Sequence, residues 1–150
     1  MAIGNRKKKD RCFLKKWQKT GIKSLDELLR FIKGYVENIK RNKNEARNWL
    51  GYARNRNSDN TSSIGYVRKY ISKAGVPLKA IGTSEEELRE LLFDGYIAEA
   101  RKWLGYARNR NSDNTSEIGY VRKYISKAGV SLEAIGTSEE ELRELLFLAA

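Results

Sequence analysis

A segment of 49 residues occurs twice in this chain, almost unchanged. The segment EARNWLGYARNRNSDNTSSIGYVRKYISKAGVPLKAIGTSEEELRELLF at 45–93 returns at 99–147, displaced by 54 residues, with four differences: Asn48/Lys102, Ser63/Glu117, Pro77/Ser131 and Lys79/Glu133. Both copies present the same apolar pattern and the same turn residues, so whatever fold one adopts the other adopts too. A fainter third copy precedes them. KKWQKTGIKSLDELLRFIKGY at 15–35 parallels VRKYISKAGV followed by SEEELRELLFDGY, with Tyr35 in the part of Tyr96. Seven extra residues then separate that tyrosine from Trp49, about two helical turns, an insertion that rotates a helix face by only about 20°.

Each full copy reads as three helices. In the second copy, Tyr96, Ile97, Ala100, Trp103, Leu104 and Ala107 recur at steps of three and four and predict a helix from about Tyr96 to Arg110, ended by the polar run at 111–114. A second helix from about Thr115 to Ala128 places Ile118, Val121 and Ile125 inward. Asn114 and Glu117 are set for a reciprocal cap, and Gly129 for a left-handed stop. A third runs from about Ser138 to Phe147 with Leu142, Leu145 and Leu146 inward, and the Ser84/Glu87 and Ser138/Glu141 pairs predict capping boxes at the two acidic starts. No useful stretch alternates with period two. The expected fold class is all-α: tandem three-helix repeats of 54 residues with a partial N-terminal repeat, about eight helices. The expected divisions are a flexible basic tail at 1–11, the partial repeat at 12–40, and full repeats at 41–94 and 95–150. A 54-residue unit is marginal alone, and stacking on a neighbour supplies the missing core.

Composition removes many functions. Among 150 residues there is no histidine and one cysteine, Cys12, so an internal disulfide, a thiolate metal cage and the commonest general base are all absent. SDNTS, at 58–62 and 112–116, has no base to activate a nucleophile and reads as a helix start. No catalytic residue, metal site, cofactor or small-molecule substrate is expected. No apolar run is long enough for a membrane helix and the N-terminus lacks the apolar stretch of a signal peptide, so the expectation is an intracellular, soluble protein, cytoplasmic or nucleoid-associated.

The charge points to a polyanion. Lys+Arg number 30 against 19 Asp+Glu, a net charge of +11 that is graded along the chain: +8 over residues 1–40, +3 over 41–94 and zero over 95–150. Arg6, Lys7, Lys8, Lys9, Lys15, Lys16 and Lys19 form a basic cluster suited to long-range attraction, the bland alternative being a tail that only confers solubility. On the second helix, Tyr66, Lys69, Tyr70 and Lys73, repeated as Tyr120, Lys123, Tyr124 and Lys127, share a face beside the buried stripe. Ammonium groups can neutralise phosphates and phenol rings can stack on bases; alternatively these tyrosines rim the core. Arg54, Arg56, Arg108 and Arg110, with Asn55 and Asn109, end the first helix, either complementing its dipole or reaching a nucleic-acid backbone or base edge. Trp17, Trp49 and Trp103 read as core, and Gly51, Gly65, Gly105 and Gly119 as places where helices pack closely, with backbone approach to a ligand as the second explanation.

A helix-turn-helix is a poor description of YISKAGVSLEAIGTSEEELREL, because the helix that would enter the groove begins with three glutamates. The order of a helix ending in R-N-R-N-S, a second helix with basic residues and a K-A-G end, and an acidic leucine-bearing helix resembles, in layout over residues 45–147, the tandem three-helix repeats of RecX-type recombination regulators. That resemblance implies binding to a nucleoprotein filament rather than catalysis. The function expected from the residues is non-enzymatic binding of nucleic acid, DNA or RNA. The alternative is an adaptor or inhibitor that docks on an acidic protein partner.

Overall fold

A computed structural model describes residues 24–109 and 114–148, leaving aside the side chain of Leu148. The described residues are helical and contain no strand. Five α-helices are present: α1 (Leu25–Asn55), α2 (Thr61–Ala74), α3 (Glu85–Asn109), α4 (Thr115–Ala128) and α5 (Glu139–Leu148), with short 3-10 turns at Leu78–Ile81 and Leu132–Ile135. The chain divides into two compact units, Met1–Arg41 and Asn42–Ala150. The tail expected at 1–11 and the partial repeat up to residue 23 lie outside the described residues.

The expected helix count of about eight is corrected by α1, which runs unbroken for 31 residues from the partial repeat into the first copy, and by α3. The third helix of the first copy and the first helix of the second are one continuous helix of 25 residues. No proline stands between them, and Asp94-Gly95 stays helical because Gly95 is needed for packing rather than for a turn. A Cβ built on Gly95 would lie 2.5 Å from the Ser58 carbonyl oxygen and 3.3 Å from Asn60 N and Nδ2. Here the α1–α2 connection presses directly on the α3 backbone. The opposite correction applies to Gly51, Gly65, Gly105 and Gly119, around which nothing comes within 4 Å, so close packing is not their reason.

Within Asn42–Ala150, two small cores form from equivalent residues. Ala46, Leu50, Ala53, Ile64, Val67, Ile71, Ile81 and Leu88 make the first. The second includes Ala100, Leu104, Ala107, Ile118, Val121, Ile125, Ile135 and Leu142, each 54 residues further on, and adds Ile97 and Tyr124. The tryptophans sit at the rim: Trp49 and Trp103 are half-buried against these cores, and Trp17 lies outside the described residues. Gly75 and Gly129 end α2 and α4 at φ 67° and 68°, as expected of left-handed stops, and Gly82 and Gly136 end the 3-10 turns at 79° and 82°.

The helix starts hold two surprises. Ser24, Ser84 and Ser138 do accept the backbone N–H of Glu27, Glu87 and Glu141, at 3.1, 3.2 and 3.2 Å. The reciprocal half of the box is replaced, because the Glu87 carboxylate accepts from the Thr83 hydroxyl and the Arg54 guanidinium, and Glu141 does the same with Thr137 and Arg108. Asn60 and Asn114 stand at the cap positions of α2 and α4 without a side-chain cap bond, which overturns the expected Asn114/Glu117 box. Each is instead a buried brace. Asn60 Nδ2 donates to the Ala53 and Leu91 carbonyls at 3.1 and 3.3 Å, and Asn114 Nδ2 to Ala107 and Leu145 at 3.0 and 3.4 Å. The Asn60 amide thus ties the end of α1 to α3, and the Asn114 amide ties the end of α3 to α5.

Candidate nucleic-acid interface

The expected basic face separates into Arg54 and Arg108, which hold the fold, Lys127, which pairs with a carboxylate, and Lys69, Lys73 and Lys123, which remain open. Arg54 ends α1, donates to Glu87 Oε1 at 2.6 Å and reaches the Gly82 carbonyl at 3.0 Å; Arg108 repeats this with Glu141 at 2.6 Å and Gly136 at 2.9 Å. Arg68 pairs with Glu85, and Arg122 with Glu139 at 2.6 Å. The acidic starts of α3 and α5 therefore meet guanidinium groups from the two preceding helices. Planar, bidentate donors suit such clamps better than ammonium groups do. The Thr83 hydroxyl and then Arg54 hold the Glu87 carboxyl below its usual range, and Arg108 and then Thr137 do so for Glu141. Neither dipole complementation nor nucleic-acid contact, the two expectations for Arg54 and Arg108, anticipated this partner. Arg56 is exposed beyond the end of α1. Arg110, with Arg6, Lys7, Lys8, Lys9, Lys15, Lys16 and Lys19, lies outside the described residues.

The aromatic face is built alike in both copies. Tyr66 stacks on Trp49 with ring centroids 4.4 Å apart and planes inclined by 22°; Tyr120 stacks on Trp103 at 4.5 Å and 23°. Tyr52 and Tyr106 meet the same indoles edge-on at 5.5 Å. The tryptophan anchors the cluster at the core rim, and four phenol rings are left substantially in solvent: Tyr52 59% exposed, Tyr66 39%, Tyr106 51% and Tyr120 40%. Lys69 stands 5.7 Å from the Tyr66 ring and Lys123 5.8 Å from the Tyr120 ring. A notch of about 310 Å³ beside Trp103 is lined also by Tyr106, Asn109 and Glu117, room enough for a flat ring.

Tyr124 and Lys127 behave differently from their first-copy counterparts. Tyr124 is only 8% exposed. Its hydroxyl donates to Asp59 Oδ2 at 3.3 Å, while Lys127 Nζ stands 3.8 Å from the same oxygen. Asp59 also accepts from the Thr61 hydroxyl and, at 2.9 Å, the Thr61 backbone N–H, while its own N–H donates to Glu99 Oε1 at 3.3 Å. Thr61 Oγ1 lies 3.2 Å from the Tyr96 hydroxyl. Burial acts to raise the Asp59 pKa, but the Thr61 hydrogen bonds and the Lys127 charge outweigh it and hold the carboxyl below its usual value. Tyr124 is pushed up by burial and by the Asp59 and Glu99 carboxylates. These contacts join the first copy to the second, bury the Tyr124 ring and pair the still-exposed Lys127 with a carboxylate. Tyr70 and Lys73, the corresponding pair, have no carboxylate between them among the described residues.

Sequence reasoning missed Asp59, Asn60, Asn114 and Glu99 as organising groups. The signal was a polar run between two helices, which reads as a cap from local chemistry alone. Among the described residues there is no cluster of three or more His, Cys, Asp or Glu able to hold a metal, and no helix long and apolar enough to cross a membrane. The chain matches no known family model, no curated protein and no solved structure.

Proposed function

We propose that this protein is a non-enzymatic nucleic-acid-binding protein made of tandem 54-residue three-helix modules behind a partial N-terminal repeat. Each module offers an aromatic platform with an ammonium group beside it. The observation that carries this is the recurrence of one arrangement in both copies: a Trp–Tyr stack at 4.4 and 4.5 Å, a second exposed tyrosine at its edge, and a lysine over the stacked ring. Exposed flat rings next to positive charge favour a strand whose bases are accessible, since stacking tolerates any base and the lysines neutralise the backbone. The ligand-facing set is Tyr52, Tyr66 and Lys69, then Tyr106, Tyr120 and Lys123, with Arg56 nearby in sequence and the N-terminal basic cluster drawing the polyanion in from a distance. Arg54, Arg108, Tyr124 and Lys127 are left to the fold.

Two tethered weak sites can together bind about 100-fold or more tighter than one when a single polymer engages both. The test is binding of a labelled single strand, a duplex and a structured RNA at two salt concentrations. The single strand is expected to bind best, and more weakly as salt rises. Affinity that is undetectable at low salt, or unchanged by salt, refutes the proposal. The adaptor alternative has one observation in its favour, the grip of Tyr124 and Lys127 on the Asp59 carboxylate, which is a protein acid. A stoichiometric protein partner retained after nuclease treatment supports that alternative instead.

A further inference from the structure

The contact between the two copies shows what a Tyr-x-x-Lys pair on this helix can do. In α4, the Tyr124 hydroxyl and the Lys127 ammonium converge on one oxygen of Asp59, at 3.3 and 3.8 Å, with Lys127 5.4 Å from the Tyr124 ring and Lys123 on the same ring at 5.4 Å. That is a working oxyanion seat. The first copy carries the same residues at the same spacing on α2: Tyr70 and Lys73, with Lys73 5.4 Å and Lys69 5.6 Å from the Tyr70 ring. Among the described residues, the Tyr70 hydroxyl has no hydrogen-bond partner and neither lysine has a carboxylate within ion-pair reach. Tyr70 is half-buried, which fixes its direction, while both ammonium groups are exposed.

We infer that Tyr70, Lys73 and Lys69 form an open oxyanion site that takes a backbone phosphate of the bound strand. This deepens the nucleic-acid reading and rests on it. The duplicated helix thus does two jobs: in the second copy its Tyr–Lys pair locks the modules together, and in the first copy it meets the ligand. A second Ser-Asp-Asn loop is a poorer occupant than a phosphate. The loop at 58–60 needs a glycine beneath the Ser58 carbonyl, where a Cβ would stand at 2.5 Å; counted back from Trp49 as Gly95 is from Trp103, that position is Arg41, and Gly34 lies seven residues earlier on α1. Tyr96, whose hydroxyl meets Thr61 at the start of α2, likewise falls on Asn42 by that count, its sequence counterpart Tyr35 lying seven residues, about two turns, earlier. A phosphate oxygen requires the phenol and ammonium groups and neither of those.

The experiment measures the affinity of a labelled single-stranded oligonucleotide across a salt series for the full chain and for Lys73→Gln, Tyr70→Phe and Lys127→Gln. Removing one phosphate contact to a single strand lowers the slope of log K against log salt by about 0.7. Lys73→Gln is expected to lose several-fold in affinity at low salt together with that change in slope. Tyr70→Phe should lose affinity with the slope kept, and Lys127→Gln should keep the slope while lowering the melting temperature. If the unaltered chain binds but Lys73→Gln matches it in affinity and slope, or if Lys127→Gln changes the slope equally, the site is refuted while the function stands. Absence of binding by the unaltered chain overturns the function and this site together. Lys73-dependent binding of a Ser-Asp-Asn-Thr peptide, without any Lys73 effect on the oligonucleotide, assigns the seat to a protein carboxylate and overturns the phosphate.

Discussion

Replacing Gly95 by alanine tests how the two copies are joined. Within a helix, alanine is favoured over glycine by about 1 kcal/mol, so in open space the substitution stabilises. At Gly95 the added Cβ meets the Ser58 carbonyl oxygen at 2.5 Å. Carbon–oxygen contacts settle at about 3.3 Å or more, so helix and loop must part by roughly 0.8 Å. Overpacking of this kind costs about 1–3 kcal/mol. The displaced loop also carries Asn60, whose side chain holds the Ala53 and Leu91 carbonyls. Weakening those bonds adds about 1 kcal/mol. The net expectation for Gly95→Ala is a loss of about 1–3 kcal/mol. Gly105→Ala, on the same helix with nothing within 4 Å, is expected to gain up to about 1 kcal/mol. Urea unfolding followed by tryptophan fluorescence resolves the difference, since a denaturant slope of about 1–3 kcal/mol per molar separates the two midpoints by roughly 1 M. A Gly95→Ala midpoint equal to or above that of Gly105→Ala refutes the close approach on which the joint depends.

Asn60→Ala leaves two helix carbonyls without their donor and is expected to cost about 1–3 kcal/mol in the same assay, against less than 0.5 kcal/mol for the exposed Asn57→Ala. Glu87 and Glu141 have lowered pKa values in the fold, so their contribution is complete above the ordinary carboxyl pKa and is lost as pH falls through the folded one. Both side chains are about one-third exposed, so solvent screening keeps the effect to at most about 1 kcal/mol each, and a Glu87→Gln/Glu141→Gln double variant should lose less stability between pH 6 and pH 3 than the unaltered chain, read as urea midpoints at each pH. Tyr66→Ala and Tyr120→Ala are each expected to weaken single-strand binding by roughly 5- to 150-fold, the worth of about 1–3 kcal/mol of base stacking; equal affinity in titrations of both variants contradicts the platform.

Helix type and inward residues were legible in the sequence because they follow from local periodicity. Ile118, Val121, Ile125 and Leu142 are buried as the spacing of apolar residues requires, and Gly129 stops its helix as its freedom at positive φ allows. Where one element meets another, local pattern fails. Asp94-Gly95 looks like a break and is continuous helix, since the requirement for glycine comes from a carbonyl 37 residues earlier in the chain. Arg54 and Arg108 look like dipole partners and are instead drawn to glutamates 33 residues away. Tyr70 and Tyr124 sit in the identical local sequence GYVRKYISKAG. Only one is buried against an aspartate, and no window that short can distinguish them.

The differences between the copies follow the same logic. Glu99 is 6% exposed at the contact between copies, where it accepts the Asp59 N–H, and Lys102 Nζ pairs with it at 2.9 Å while Trp103 Nε1 donates at 3.1 Å. A carboxylate taken out of water needs such partners, since an unpaired buried charge is costly. The counterpart Glu45 is half-buried, and its neighbour at the equivalent position is the uncharged Asn48. Gly95, Tyr96 and Lys102 thus belong to the side of the second copy that receives the first; counted from the tryptophan, Arg41, Asn42 and Asn48 hold the corresponding positions of the first copy, with Gly34-Tyr35 seven residues earlier on α1. Since the joint consumes Tyr124 and Lys127 and depends on those three residues, the first copy retains the Tyr–Lys pair without the rest of the joint. On the proposed reading, an oxyanion seat outside the interlock is what a duplicated module gains for binding when only one of its copies holds the other.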